Sequence, residues 1–494
     1  MAALVVAGLL VGVTMLAGCT ATHQAQGQAG SHGGVAGGGQ QSAAEPVLAL
    51  GTENHRASER VVAAGGADAP YNYGPTVMRD GDRTRMWWCS QYGSAPPPGD
   101  DILYATTTSL TKKFTGPGGK MPPAVLSGRP GGFDGMHTCD PSVIKVDGQH
   151  YLYYTGAKGD HSFGNAIGLA TSEDGVNWTR ANGGKPIVKP ARDTARDNSY
   201  GAGQPAVVFL DGWFYLMFTD TTGRSAGWNG AGQFLLRSTD PTFGSGVEAL
   251  GRTGFMPVPH TAMPRETSLV DAFSVDLMWV AALDAWAIAH QTEDGTTLTF
   301  WNREFTGSPH HPLVVPGLWA EGPGLVRTPL GHAPISADDP CGTVPVDVIR
   351  ATVKPDAPTD LRHFGIDVRG ALGCAEPTRA LRVLDGYTMP SPERTMDLVV
   401  QGKLVRVERR SVAIRLAERV LEHRPAALVR LPVDARLAAG APLVHSPNSG
   451  SGLLLDDGRL WPVYAEGIAE LNGSKARTIS DARWRGYPVG SVLG

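Results

Sequence analysis

The stretch HTCDPSVIKVDGQHYLYYTG, residues 137–156, decides the fold of this chain. An Asp-Pro step at Asp140 leads into a strand of alternating apolar residues, and an Asp-Gly turn at Asp147 separates it from a second strand rich in Tyr and Leu. The period of two and the turn chemistry predict a β-hairpin. Because the outline of this hairpin returns along the chain, we interpret it as one unit of a repeat.

The repeat has five copies. Their first strands begin near Gly74, Asp140, Gln204, Ser274 and Gly322, at separations of 66, 64, 70 and 48 residues. Units of three or four antiparallel strands at this spacing are typical of propeller blades. We therefore predict an all-β chain whose main part, residues 49–374, is a five-bladed β-propeller. The alternative is a β-sandwich in which similar hairpins recur by chance.

The composition agrees with a β-rich, globular chain. Its 494 residues are enough for two or three domains, and 64 Gly with 37 Pro indicate many short strands joined by turns. The formal net charge is −4 and 18% of residues are charged, so a nucleic-acid partner is not expected. From about residue 375 shorter alternating strands follow, which predicts a small C-terminal β-rich domain over residues 375–494. Residues 412–423 are equally compatible with a short amphipathic helix.

The N-terminus predicts export. Residues 1–19 form an apolar run that is too short to span a membrane comfortably and ends in small residues, as a secretory signal does. Its last four residues, LAGC, resemble the bacterial lipoprotein signal. That resemblance implies lipidation of Cys19 and anchoring at the cell surface, on the outer face of the cytoplasmic membrane. A plain signal peptide is the alternative, and residues 20–48 predict a flexible Gly/Ser/Gln-rich linker.

Four further cysteines predict disulfides. An exported protein can keep disulfide bonds, and four cysteines allow three pairings. Proximity in sequence and similar context favour the pairs Cys89 with Cys139 and Cys341 with Cys374. The chain has no Cys-x-x-Cys or His-x-x-x-His cluster, so we expect no zinc site and no cysteine nucleophile.

Acidic residues stand at three of the five strand starts: Asp140, either Asp271 or Asp276, and Glu321. In a propeller the inner strands converge on the mouth of the axial channel, so these side chains are expected to meet there. Three neighbouring carboxylates repel one another, and at least one should then have a raised pKa. A protonated acid beside an ionised one is what glycoside hydrolysis requires.

Three motifs carry a resemblance to a known family: CDPSVI at 139–144, SEDGVNW at 172–178 and EGPGL at 321–325. Together, in this order, they are similar to the five-bladed furanosidase superfamily, especially family 43 of the glycoside hydrolases. The resemblance covers roughly residues 65–370. It implies an inverting glycosidase that acts on furanoside- or pentose-containing glycans of the arabinan, xylan or arabinogalactan type.

The same resemblance assigns roles to individual residues. It makes Asp140 the general base and Glu321 the general acid. Asp271 is preferred to Asp276 as the middle Asp that tunes and orients the acid. Substrate contacts are expected from Gln204, Tyr200, Trp319 and Asp276, although an aromatic residue in a propeller strand is more often part of the core.

One departure from the family concerns the order of blades. The family usually carries its base in the first blade, whereas a complete repeat precedes Asp140 here. If the N-terminal segment closes the propeller, we expect the Gly74 repeat to become the closing blade and Asp140 to head the first functional one. No cofactor is expected, although a structural cation in the channel is compatible with the fold. The expected protein is a monomer that binds a polysaccharide or oligosaccharide. A surface glycan-binding propeller without turnover is the competing function.

Overall fold

The computed structural model describes residues 49–64, 71–91, 99–159, 162–354, 359–465 and 467–494. The predicted signal peptide with Cys19 and the predicted linker lie outside these residues. In the part of the chain that is described, no helix is both long and apolar enough to cross a bilayer.

The first three blades are antiparallel sheets whose first strand lies innermost. Strand β1 (Gly51–Ala57) precedes them. Blade I consists of β2 (Asn72–Asp80), β3 (Arg83–Ser90), β4 (Asp101–Thr107) and β5 (Ala124–Ser127). Blade II consists of β6 (His137–Val146), β7 (Gln149–Ala157), β8 (Ala166–Ser172) and β9 (Thr179–Arg180). Blade III consists of β10 (Ala202–Leu210), β11 (Trp213–Asp220), β12 (Gln233–Ser238), β13 (Glu248–Gly251) and β14 (Gly254–Pro257).

The last two blades complete the ring. Blade IV consists of β15 (Val275–Val280), β16 (Ala285–Thr292), β17 (Gly295–Trp301) and β18 (Leu313–Pro316). Blade V consists of β19 (Glu321–Arg327), β20 (Thr343–Val353) and β21 (Thr359–Arg369), with β1 as its outer strand. Short 3₁₀ turns lie at Pro117–Gly119, Asn182–Gly184 and Ala426–Leu428.

The five inner strands form a closed ring. Each of β2, β6, β10, β15 and β19 contacts the next, and β19 pairs in parallel with β2 through Val326 and Val77. The prediction of a five-bladed β-propeller is therefore confirmed. The hairpin of residues 137–156 is also confirmed, since Asp147 and Gly148 both have a left-handed backbone, as the two-residue type I′ turn requires.

The ring closes differently from our expectation. β1 pairs antiparallel with β21, from Gly51 opposite Arg369 to Ala57 opposite Phe364, so the N-terminal segment completes blade V. The expectation that the Gly74 repeat is the closing blade is wrong, because that repeat has four strands of its own and forms blade I. Asp140 therefore belongs to the second blade.

The C-terminal part contains two small sheets and four short helices. Its elements are α1 (Pro377–Val383), β22 (Tyr387–Pro390), β23 (Met396–Val400), β24 (Lys403–Val407), α2 (Arg410–Leu416), β25 (Arg419–Val420), β26 (Ala435–Leu437), β27 (Leu443–Ser446), β28 (Gly450–Leu454), β29 (Leu460–Pro462), α3 (Ile468–Asn472), β30 (Ala476–Thr478) and α4 (Asp481–Arg485). The helical interpretation of residues 412–423 is correct for the first half of that stretch only. Tyr387 and Leu404 share one apolar cluster with Val346 and Ile366 of blade V, so this part packs on the propeller.

A single arginine fills the axis of the ring. The side chain of Arg327, from β19, is only 1% exposed. Its Nη1 donates to the carbonyls of Leu277 (2.8 Å) and Val207 (3.1 Å), and its Nη2 donates to Thr76 Oγ1 (3.0 Å) and lies 3.4 Å from Ser142 Oγ. These partners belong to the inner strands of blades IV, III, I and II. Arg327 therefore ties all five blades together and places a fixed positive charge in the channel.

Asp276 takes part in the same axial network. Its Oδ1 lies 3.0 Å from Arg327 Nη1, and its Oδ2 accepts a hydrogen bond of 2.8 Å from the Leu325 N–H. Thr76 occupies the same position in blade I, two residues after the strand start, and its hydroxyl accepts from the N–H of Val143 in blade II. Asp276 is thus one of several inner-strand side chains that hydrogen-bond the neighbouring blade.

The channel is covered at the end away from the strand starts. After β19, residues 328–333 run across the axis and pair with three blades. The carbonyls of Pro329, Leu330 and Gly331 accept from the N–H groups of Lys145, Phe209 and Trp279, respectively. The strand starts therefore surround the accessible end of the channel.

Both predicted disulfides are present. Cys89 on β3 is bonded to Cys139 on β6, which links blade I to blade II beside the strand start of Asp140. Cys341 is bonded to Cys374, which links the segment before β20 to the segment before α1.

We expect Arg327→Met to lower the free energy of unfolding by about 3–5 kcal/mol, because it leaves Asp276 buried without its cation. Adding Asp276→Asn should recover part of the loss, since the pair is then removed together while the acceptor for Leu325 stays. Urea denaturation measures both variants. Arg252→Met, at the exposed turn between β13 and β14, should stay within about 0.5 kcal/mol, and equal stability of the two single variants would contradict this role for Arg327.

Candidate active site

Four of the five strand starts share one backbone feature. Each combines a left-handed residue, a following proline and a shift in strand register. These residues are Gly74 (φ 54°), Asp140 (φ 46°), Gln204 (φ 52°) and Gly322 (φ 55°). The fifth start, Ser274, lies just before β15 and lacks this bulge. Bulges of this kind re-aim side chains next to active sites.

At two of the four bulges the left-handed residue carries a side chain. A left-handed backbone is readily adopted by glycine and is costly for other residues, by about 1–3 kcal/mol. Gly74 and Gly322 avoid this cost, whereas Asp140 and Gln204 do not. Strain of this kind is concentrated at functional sites, so the retained carboxylate and amide are candidates for a chemical role.

The two bare glycines make room for the carboxylates. A Cβ atom on Gly322 would lie 2.9 Å from Gly74 Cα, and a Cβ on Gly74 would lie 3.2 Å from Asp140 Oδ1. Gly322, Gly74 and Asp140 are therefore neighbours at the mouth. Glu321 precedes Gly322, and Gly74 itself adds no side chain between blades V and II.

The pKa of Glu321 reflects the nearby carboxylate of Asp140. Burial and the charge of Asp140 raise the pKa of Glu321 to about 7, although Lys354 and His137 oppose the shift. The sequence-based expectation that one of the converging acids has a raised pKa agrees with this value. Near neutral pH a substantial fraction of Glu321 is protonated beside Asp140.

A group of charged and polar residues lies next to the two acids. His137, three residues before Asp140 on β6, is 4% exposed, and its Nδ1 contacts Asp100 Oδ2. The other oxygen of Asp100 accepts from the Tyr71 hydroxyl. Burial disfavours the imidazolium, but the charges of Asp100, Asp140 and Glu321 outweigh it and raise the pKa of His137. The charge of Asp140 and that of a protonated His137 therefore attract each other at the mouth.

Sequence analysis missed this supporting group. His137 opens the stretch that decides the fold, and its spacing of three from Asp140 was an available signal, because the bulge brings residues on both sides of it to the mouth. Asp100 and Tyr71 precede strands of blade I and carry no motif. Their proximity to His137 follows only from the assembled blades.

Gln204 and Tyr200 lie on the blade III side of the mouth. The backbone N–H of Gln204 donates to Thr155 Oγ1 at 2.7 Å, and Thr155 pairs across the hairpin with Cys139, next to Asp140. Gln204 Oε1 is buried and has no hydrogen-bond partner among the described residues. The Tyr200 hydroxyl packs against Gly203, where a Cβ would lie 2.4 Å from its oxygen.

The other candidates lie at different depths. Asp271 is exposed in the segment before β15, with its carboxylate beside Gly227, and it does not contribute to the shift of Glu321. Trp319 is 37% exposed two residues before Glu321. Asp276 is buried, and its contacts with Arg327 and Leu325 engage both of its oxygens. The roles of Asp271 and Trp319 remain predictions.

One group of potential metal ligands lies at the mouth. Ligand atoms of Asp100, His137 and Cys139 lie within 4.8 Å of one another. Cys139 is bonded to Cys89 and has no thiolate to offer. We therefore interpret the contact between Asp100 and His137 as a charged hydrogen bond.

Comparisons with known proteins give remote similarities. No family model and no curated protein matches this chain. Among solved structures, the chain is similar to a family 117 glycoside hydrolase from Zobellia galactanivorans, with a TM-score of 0.43 and 11% identity, covering 65% of this chain and 91% of that one.

Two further structures are similar to a comparable degree. The α-L-arabinofuranosidase PaAbf62A from Podospora anserina has a TM-score of 0.39 and 9% identity, covering 65% of this chain and 98% of that one. Sucrose-6-phosphate hydrolase from Lactobacillus gasseri has a TM-score of 0.41 and 10% identity, covering 73% and 64%. We draw no conclusion about substrate or mechanism from these identities and TM-scores.

Proposed function

We propose that this protein is a glycoside hydrolase in which Glu321 is the general acid and Asp140 the general base. The observation that carries the proposal is the electrostatic coupling of these two carboxylates at one mouth, with the pKa of Glu321 raised to about 7. A carboxylic acid that keeps its proton near neutral pH beside an ionised one is the arrangement that glycoside hydrolysis uses.

The proposed reaction divides the proton transfers between the two residues. Glu321 gives its proton to the glycosidic oxygen as the bond to the sugar carbon breaks. Asp140 takes a proton from the water whose oxygen attacks that carbon from the opposite face, which inverts the configuration. His137, held by Asp100, places a positive charge near Asp140. Asp271 remains the proposed third carboxylate.

The substrate class, the substrate contacts, the oligomeric state and the localisation are proposed from the sequence. We propose furanoside- or pentose-containing glycans of the arabinan, xylan or arabinogalactan type as substrates, because the motifs at 139–144 and 321–325 resemble family 43. Gln204, Tyr200 and Trp319 are the proposed substrate contacts. We also propose a monomer that is exported and anchored to the outer face of the cytoplasmic membrane through a lipidated Cys19. The two disulfides suit an oxidising compartment.

We expect Asp140→Asn and Glu321→Gln each to lower hydrolysis by about 10²–10⁴-fold, because each removes one of the two proton transfers. The measurement is release of reducing sugar from arabinan, xylan, galactan and D-arabinan, with the products sized. Asp147→Asn is the matched control, since it lies in blade II at the far end of β6, in an exposed turn where Asn also accepts a left-handed backbone.

Two outcomes would contradict the proposal. If both variants hydrolyse at the wild-type rate, Asp140 and Glu321 do not catalyse. If the wild type binds one of the glycans and releases no sugar, the protein is the non-catalytic glycan-binding propeller instead.

We expect kcat/KM to fall about tenfold per pH unit above pH 7, because the free enzyme loses the Glu321 proton there. The measurement is a pH profile on the most active substrate of that panel. An aryl glycoside of the same sugar with a good leaving group needs no proton from Glu321. It should show a flat alkaline limb and a smaller Glu321→Gln defect, and the same fall for both substrates would rule out Glu321 as the acid.

We expect Glu321→Gln to stabilise the fold at pH 8 by about 1–3 kcal/mol and to have little effect at pH 4. The pKa of Glu321 is higher in the folded state than its ordinary value of 4.5, so wild-type stability is lost as the pH rises through about 7. Urea denaturation at both pH values measures the difference. The exposed Glu304→Gln should show no such pH dependence, and an identical pH dependence of wild type and Glu321→Gln would refute the raised pKa.

A further inference from the structure

A cavity of about 360 Å³ lies beside the mouth, between the loops of blades II and III. Its wall includes two arginines, several hydroxyl and amide side chains and one aromatic ring. These residues are Phe163, Arg192, Thr194, Arg196, Asn198 and Thr222. None of them is a proposed catalytic residue.

The cavity is close to the proposed substrate contacts. Gly201 forms part of its wall and pairs in parallel with Asn165, which joins blade III to blade II at this end. Gly201 is followed by β10, and Gln204 is three residues further along. Three residues of extended chain span at most about 11 Å. A glycan bound at the mouth therefore has neighbouring units within reach of this cavity.

Among the residues that the structure describes, the two cavity arginines have no acidic partner. Neither Arg192 nor Arg196 forms an ion pair with a carboxylate of the described residues, although arginines nearby do. Arg265 pairs with Asp220 at 3.0 Å, and Arg224 lies 3.5 Å from Asp193. Asp220 and Asp193 thus have other cations as partners, and neither of them pairs with Arg192 or Arg196.

Arg196 is held in place by backbone carbonyls. Its Nη2 donates to Gly223 O at 2.9 Å and its Nη1 contacts Gly227 O. Its Nε is buried and has no hydrogen-bond partner in the described part of the chain. A guanidinium whose orientation is set beforehand loses less entropy when it binds an anion, and its geometry suits carboxylate and sulfate oxygens.

Aromatic rings beside these charges suit a sugar better than a free inorganic anion. Phe163 in the cavity wall is 61% exposed. Trp228 is 81% exposed and lies between Gly227 and Asn229, whose carbonyls accept from Arg196 and Asn198. Such rings can cover the apolar face of a sugar while the hydroxyl and amide groups bond its oxygens.

We propose that this cavity is a subsite for an acidic sugar unit, which bears a carboxylate or a sulfate ester and lies next to the cleaved unit. The inference rests on the proposed function, because it places the anionic unit on the same glycan that Asp140 and Glu321 cleave. Within the proposed class of furanoside- or pentose-containing glycans, it selects those that carry an acidic unit beside the cleaved one. Arg192 and Arg196 recognise the charge, and Phe163 packs against the ring.

The test is binding of small probes to the full chain, measured by calorimetry at low salt. The probes are D-galacturonate, galactose 6-sulfate and, as the neutral match, the methyl ester of D-galacturonate. We expect at least one anionic probe to bind about tenfold more tightly than the ester, and the difference to shrink in high salt. Which anion binds distinguishes a carboxylate from a sulfate subsite.

Arg192→Gln is the informative variant, because the Arg192 side chain has no described partner whose loss would unfold the loop. It should weaken the anionic probe by about tenfold and leave the ester unchanged. Arg252→Gln, exposed elsewhere on blade III, should bind like the wild type. Equal affinity for anionic and neutral probes, or an unaltered Arg192→Gln, would overturn the proposal.

The outcome for this subsite is separable from that for catalysis. Asp140→Asn should retain the preference for the anionic probe, since the cavity does not contain that residue. If the anionic probe binds but no glycan is hydrolysed, the proposed function fails and the subsite remains as a binding site. If neutral glycans are hydrolysed and no probe discriminates, the subsite fails and the proposed function stands.

Discussion

The ring depends on one buried cation. Arg327 belongs to blade V and forms hydrogen bonds with groups on the inner strands of the four other blades. Asp276 is its acidic partner. The hydrogen-bond partners of Arg327 are carbonyls on two inner strands and hydroxyls on two others, and buried polar groups of this kind are costly when they are left unpaired. Arg327 therefore satisfies polar groups on four blades at once. Asp140 and Glu321 lie on two of the five inner strands that it connects, β6 and β19.

The repeat, and the positions of Asp140 and Glu321 at two strand starts, could be predicted from the sequence because their signals are local. An Asp-Pro or Glu-Gly-Pro step followed by alternating apolar residues is visible within a few positions, and both disulfides join cysteines in similar contexts. The axial role of Asp276 could not be predicted, since its partner Arg327 comes from another blade and an acid at a strand start looks the same whether it points to the axis or to the mouth.

The charged residues next to the two acids could not be predicted from the sequence for the same reason. The contact of His137 with Asp100 joins two blades, and no periodicity or turn marks Asp100. Closure of the ring was also misjudged, because β1 contains no copy of the repeat and its pairing with β21 spans nearly the whole propeller. Residues that act through partners far along the chain are recognisable only once the blades are assembled.

Residues 328–333 cover one end of the axis, so the channel is open at one end only. A polymer therefore cannot pass through the ring. Under the proposed function, a glycan would lie across the mouth or enter it with one end or branch, and the released fragment would leave through the same opening.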